Sequence, residues 1–156
     1  MRIRSYLLLT ACLLLAGGLA GCGRSGSAVY CEPVDPCGWQ PGDTLRIVHH
    51  NTDTVGRYDI ELFASWAARP AALHRDTATV RLIVRTPDSL RCTELVRLQD
   101  DRAGNRPQEW QTSYRTGVRF AQYGDYEFAF VRETGEPPIG LRALGVEITQ
   151  TKHGKR

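Results

Sequence analysis

Lysine is nearly missing from this chain: among its 20 cationic side chains only Lys152 and Lys155 are not arginine. That bias fits a GC-rich coding sequence, and arginine also suits bidentate carboxylate contacts. Long apolar runs are missing too. The longest, Tyr6 to Gly18, falls short of the roughly 20 residues that a membrane-spanning helix needs, so no spanning helix is expected. No Cys-x-x-Cys redox motif occurs, and no histidine sits near a cysteine pair as a structural zinc would require. No Gly-x-Ser-x-Gly elbow and no phosphate-cradling glycine loop are present, which argues against an enzyme of the common hydrolase or nucleotide-binding types. The formal charge is only +3, and Arg alternates with Asp and Glu along the chain. Clustered positive charge is what non-specific nucleic-acid binding depends on, so no nucleic-acid partner is expected.

What the chain does have begins at its first residues. Arg2 and Arg4 precede the apolar run, which has the length of a signal-peptide core, and Leu19-Ala20-Gly21-Cys22 follows. This resembles the lipobox of bacterial lipoproteins, in which small residues fit a signal peptidase and the cysteine thiol takes a diacylglyceryl group. The expected division is a cleaved leader over residues 1–21, a lipidated Cys22 with a flexible tether to residue 42, a domain over 43–150 and a short tail over 151–156. Three acyl chains, as the resemblance implies, would make dissociation negligible at ~0.8 kcal/mol per buried methylene. No Asp follows Cys22 and no acidic cluster comes after it, which points to the outer membrane with the domain facing the periplasm. Losing 21 of 156 residues leaves 135, enough for one domain with a real core, and removes Arg2 and Arg4 so that the charge falls to +1.

An oxidising compartment makes the remaining cysteines informative. Cys12 leaves with the leader and Cys22 is acylated, so Cys31, Cys37 and Cys92 remain. Cys31 and Cys37 lie six apart around two prolines and could close a small disulfide loop, leaving Cys92 as a buried strand thiol.

Val29 to Gly42 holds three prolines and two glycines and reads as irregular coil. Beyond it, Thr44–His49, Arg57–Trp66, Thr79–Arg85, Cys92–Leu98, Tyr126–Arg132 and Leu144–Thr149 alternate apolar and polar residues or are rich in β-branched types. Tyr126, Phe128 and Phe130 should point one way and Glu127 and Ala129 the other. At least six short strands with turn-rich breaks, and no sustained helical period, argue for a single antiparallel β-sandwich of jelly-roll type.

The order of short motifs on these strands is similar to a known family. Gly38-Trp39 before Asp43, the Tyr58-Asp59-Ile60-Glu61-Leu62 strand, Val84-Arg85-Thr86-Pro87-Asp88, Val118-Arg119-Phe120, Gly124-Asp125-Tyr126-Glu127-Phe128, Pro138-Ile139-Gly140-Leu141 and Leu144-Gly145-Val146-Glu147-Ile148 resemble the GldH family of gliding-motility lipoproteins of the Bacteroidetes. The likeness runs from about Asp35 to Gln150. It implies a non-catalytic lipoprotein that supports a motility-type envelope assembly, with envelope proteins as partners and no cofactor. Ala67 to Ala72 stands where the family tends to have an aromatic segment.

The remaining candidates for chemistry are few. His49 and His50 are adjacent in a strand and leave on opposite faces, so they cannot share a metal ion, and His74 and His153 are isolated. No metal site is expected. Asp43, Asp53, Asp100 and Asp101 fall in turn-rich stretches, where Asp caps backbone amides. Trp39, Trp66 and Trp110 offer the main alternative: indoles at the edge of a sandwich can stack on sugar rings, so a glycan-binding sandwich is the second reading. Exposed coplanar indoles would favour sugar, and a flat apolar patch rimmed by arginine would favour protein.

Overall fold

The computed structural model describes residues 26–35, 38–67, 77–99, 108–133, 138 and 140–151. Eight strands account for most of them: β1 Ser27–Pro33, β2 Thr44–Asn51, β3 Tyr58–Trp66, β4 Thr77–Arg85, β5 Arg91–Gln99, β6 Gln108–Val118, β7 Gly124–Arg132 and β8 Leu141–Gln150. They form two four-stranded sheets, A in the order β1-β8-β3-β6 and B in the order β2-β7-β4-β5, with every pairing antiparallel. First strand pairs with last, second with seventh, third with sixth and fourth with fifth. That nesting is the jelly roll, in which one long hairpin of strand pairs rolls up so that alternate pairs fall into opposite sheets.

Six strands lie where apolar alternation places them, with ends moved by one to three residues. Two depart from expectation. Ser27–Pro33 belongs to no free tether: it is an edge strand, paired residue by residue with β8 from Ser27↔Thr149 to Pro33↔Ala143. The expected coil before residue 43 also contributes Val34 and Trp39 to the core, so residues expected in the tether form part of the sandwich. Gln108–Val118 forms the opposite edge, β6, against β3.

The core lies between the sheets. Ile60, Leu62, Ala64 and Trp66 of β3 and Leu144, Val146 and Ile148 of β8 face Ile47 of β2, Val80 and Leu82 of β4, Leu98 of β5, and Tyr126, Phe128 and Phe130 of β7. Burial is deepest on the central strands, because an edge strand has a neighbour on one side only. Phe128 and Phe130 are each 1% exposed, and burying a ring of that size contributes roughly 1.5–3 kcal/mol. The sandwich is closed at both open sides by side chains reaching from one sheet to the other. The Tyr30 hydroxyl of β1 lies 2.9 Å from Nδ1 of His49 on β2. On the other side the Arg115 guanidinium of β6 pairs with Glu94 of β5 and lies 4.2 Å from the centre of the Tyr114 ring.

Candidate functional site

Strand register decides what each sheet shows to solvent. On sheet B the outward positions are Arg46, Val48 and His50 of β2, Asp125, Glu127, Ala129 and Val131 of β7, Arg81, Ile83 and Arg85 of β4, and Arg91, Thr93, Leu95 and Arg97 of β5. Five arginines therefore share one face with two exposed aliphatic side chains, Val48 at 47% and Leu95 at 68% exposure. Ile83 and Val131 are half-buried between them. Arg46 is held by Glu127 at 2.8 Å and Arg81 by Glu133 at 2.5 Å. Arg85 and Arg91 stand directly opposite each other across the β4–β5 ladder, and neither has an ion-pair partner among the described residues. Like charges at opposite positions of a sheet are unfavourable, so the sheet carries this pair at some cost to its own stability.

Sheet A is the converse. Its outward rows hold Asp59, Glu61, Glu147 and Glu109, and its two exposed arginines, Arg115 of β6 and Arg142 of β8, lie where the strand registers are irregular. Glu61 and Glu147 face each other across β3 and β8, and the Gln111 side-chain amide donates to both, at 2.5 and 3.3 Å. Ser27 donates to Glu147 at 2.9 Å. In the next row the Phe63 ring lies over the backbone of Gly145, where any Cβ would collide with it. Charges that alternate along the sequence are thus unevenly shared by the fold, with acids outnumbering arginines on sheet A and arginines outnumbering acids on sheet B.

The residues singled out from sequence fall as follows. Cys22 and Cys37 lie outside the described residues. Cys31 is an exposed free thiol on the outer face of β1. Cys92, expected to be buried, is an exposed thiol as well, because β5 is an edge strand and this end of it is not covered by the opposite sheet. Its Sγ donates to Glu94 at 3.4 Å, and that bond pushes the thiol above its ordinary range. Burial, helped by Glu32, raises Cys31 likewise, so neither is poised as a thiolate nucleophile.

The three indoles do not form a platform. Trp66 is fully buried and Trp39 is 3% exposed, with Nε1 donating to the Asp43 carbonyl at 3.1 Å, while Trp110 is half-buried on the inward face of β6. Beside Trp39 a cleft of about 640 Å³ opens at one end of the sandwich, lined also by Val34, Leu141 and Arg142, but the indole contributes almost no free ring surface to it.

His49 and His50 do leave on opposite faces. His50 is exposed beside Asp125 at 2.7 Å, whereas His49 is buried between Tyr30 and Phe120, whose ring centre is 5.0 Å away. Burial, with His50 adding to it, holds His49 below the ordinary histidine range. Its Nε2 finds no hydrogen-bond partner among the described residues. Among the described residues the Tyr30 hydroxyl is the oxygen bonded to its side chain, and the pair serves as a clamp between β1 and β2. Asp43 and Asp53 cap turns: Asp43 accepts from the Gln40 amide at 3.0 Å, and Asp53 from the amides of Val55 and Gly56 at 2.8 and 3.0 Å. Among the described residues no group of three or more His, Cys, Asp or Glu side chains is placed to hold a metal ion. His74, His153, Asp100 and Asp101 lie outside the described residues.

Fold and faces together define a jelly-roll β-sandwich protein. No family model matches the chain, and no curated protein matches it. Among solved structures, it is similar in shape to the CBM36-1 domain of a multidomain xylanase from the hindgut metagenome of Trinervitermes trinervoides, at 9% identity and a TM-score of 0.42, covering 82% of this chain and all of that one. A mitogen derived from Yersinia pseudotuberculosis is also similar, at 14% identity and a TM-score of 0.30, covering 83% of this chain and 89% of that one. At these values neither likeness bears on what the chain does.

Proposed function

We propose that this protein is a lipid-anchored, non-catalytic envelope component whose sandwich docks onto a protein partner through the outer face of sheet B. The observation that carries the reading is the placement of Val48 and Leu95 in solvent among Arg46, Arg81, Arg85, Arg91 and Arg97. Arginine is enriched and lysine depleted at protein interfaces, and an apolar centre within a polar rim is their usual anatomy. Glu127 stands opposite Arg85 across the β7 ladder but is bonded to Arg46, so the Arg85–Arg91 pair has room for carboxylates on the partner, whose arrival would relieve the repulsion and add to binding. The lipobox resemblance at Cys22 supplies the anchor in this reading, and the resemblance to gliding-motility lipoproteins supplies the assembly: an envelope machine of motility type at the outer membrane.

A photo-crosslinking amino acid at Leu95 or Val48, activated in intact cells, tests the face. A discrete crosslinked band that disappears on Arg85→Glu with Arg91→Glu is expected. Crosslinking that is equally strong from an outward position of sheet A, such as Ser113, would refute the assignment.

A glycan-binding reading retains one supporting observation on sheet A: the half-buried Phe63 ring whose outer carbons lie over Gly145, with Glu61, Gln111 and Glu147 on the same face as hydrogen-bonding groups. Binding on a glycan array that is abolished by Phe63→Ala and untouched by Arg91→Glu would place this reading first.

A further inference from the structure

The end of the sandwich where β1 begins carries a feature that the docking face does not explain. Three connections meet there, residues 52–57, 86–90 and 119–123, and each holds one large apolar side chain out in water: Val55 at 83%, Leu90 at 65% and Tyr123 at 69% exposure. The other large apolar side chains that are exposed, Val29, Val48 and Leu95, lie on sheet faces. Among the described residues none lies at the opposite end.

These tips are held in place by their own loops. Asp53 accepts the amides of Val55 and Gly56 and the Tyr58 hydroxyl, at 2.8, 3.0 and 2.9 Å. Gln122 donates to Asp88 at 2.7 Å, joining the loop of Tyr123 to that of Leu90, and Asn51 donates to the Gln122 carbonyl at 2.7 Å. Arg57 donates to the Gly117 carbonyl at 2.9 Å and remains exposed, as does Arg119. The acids at this end are already engaged: Asp53 in its turn, Asp88 with Thr86 and Gln122, Asp125 with His50.

The chain also enters here. The Gly26 carbonyl accepts from the Gln150 amide at 2.6 Å, and the next residue, Thr151, donates to Arg57 at 2.8 Å. Gly26 follows Cys22 by four positions, a reach of about 14 Å at full extension. A lipid on Cys22 therefore brings this end, and no other, to the bilayer surface.

We infer that Val55, Leu90 and Tyr123 dip into the headgroup region of the bilayer that holds the Cys22 lipid, with Arg57 and Arg119 at the level of the phosphates. The inference rests on the lipid-anchor reading. Exposed apolar tips with an aromatic at the water boundary are what an interfacial contact uses, and a contact too weak to hold a free protein suffices once a tether keeps the local concentration high. Its consequence is orientation: the strands stand upright on the membrane, and the arginine face of sheet B looks sideways, toward neighbours in the envelope.

The test couples the chain beginning at Cys22, with Cys31, Cys37 and Cys92 replaced by serine, through its single thiol to a maleimide lipid in phosphatidylcholine vesicles containing a minority of phosphatidylglycerol. Amide hydrogen exchange is then read by mass spectrometry. Exchange over 52–57, 88–91 and 119–124 is expected to slow by about tenfold or more relative to the uncoupled chain, with no change over the Gln40–Thr44 turn at the other end. Val55→Ser with Leu90→Ser and Tyr123→Ser should remove the slowing while the protein stays coupled. Equal exchange in coupled and uncoupled chains at all three loops would overturn the inference. Because the coupling is chemical, this outcome is independent of whether cells acylate Cys22, which metabolic labelling decides separately.

Discussion

Replacing Gly145 by alanine should expose how tightly the outer face of sheet A is built. Gly145 sits on β8 between Cys31 of β1 and Phe63 of β3, and a methyl added there would meet three outer carbons of the Phe63 ring, all within 2.5 Å. Ordinary carbon contacts lie at about 3.5–4.0 Å, so the ring must swing off the strand or the strands must part. Gly145 does not have a positive φ, and alanine by itself should therefore help by about 0.5–1 kcal/mol through lost chain entropy. Overpacking costs about 1–3 kcal/mol, leaving a net destabilisation near 1 kcal/mol. Phe63→Ala alone gives up part of a half-exposed ring, about 1 kcal/mol. In the Phe63→Ala background the clash is gone, and Gly145→Ala should turn stabilising by about 0.5–1 kcal/mol. The double-mutant cycle thus carries a coupling of about 2 kcal/mol, read from urea unfolding of the non-acylated chain at constant m-value. Coupling within about 0.5 kcal/mol of zero would show that the ring does not rest on Gly145.

Three further outcomes follow from the core and its clamps. Trp66→Ala removes a fully buried indole at the centre of sheet A and should cost about 3–5 kcal/mol in urea unfolding, whereas Trp110→Ala, on a half-buried edge, should cost clearly less. His49 is held neutral by burial, so its folded pKa is below the unfolded one. Its stabilising contribution is complete above about pH 6.5 and is lost as the pH falls from there toward the folded pKa, because the unfolded chain takes the proton first. The urea midpoint should therefore drop on acidification through that window in wild type and drop less in His49→Phe. Tyr30→Phe deletes the hydroxyl that bridges β1 to His49 and should lower stability by about 0.5–1.5 kcal/mol, with hydrogen exchange in β1 rising more than in β7.

Much of the architecture was legible from the chain alone, for a physical reason. Central strands β3, β4, β7 and β8 are covered on one face by the opposite sheet along most of their length, so alternation shows in Ile60-Leu62-Ala64-Trp66 and Tyr126-Phe128-Phe130. The two missed strands are edges. In β6 only Trp110, Tyr114 and Val118 pack on the core, one in four, with Thr112 between them, so no period of two appears. In β1, Tyr30 is the one large residue packed inward, and the flanking Pro and Gly residues read as coil. Trp39 looked like a loop residue because nothing local says that Arg132 donates to its carbonyl and that the indole closes the end of the core. Charge told least. Arginine and carboxylate alternate along the sequence, and their uneven sharing between two faces depends on which strands are neighbours, a long-range property. Arg85 and Arg91 face each other only because β4 and β5 pair in that register. Val55, Leu90 and Tyr123 sit far apart in sequence and share one end only through the jelly-roll winding.

The anchor on which the functional reading turns is open to a single measurement. Cells expressing wild type and Cys22→Ser are fed radiolabelled palmitate, and the protein is recovered from membrane and soluble fractions. Label is expected on the wild-type protein in the membrane fraction, and none on Cys22→Ser. Label that persists on Cys22→Ser, or a wild-type protein that is unlabelled and soluble, would contradict the anchor.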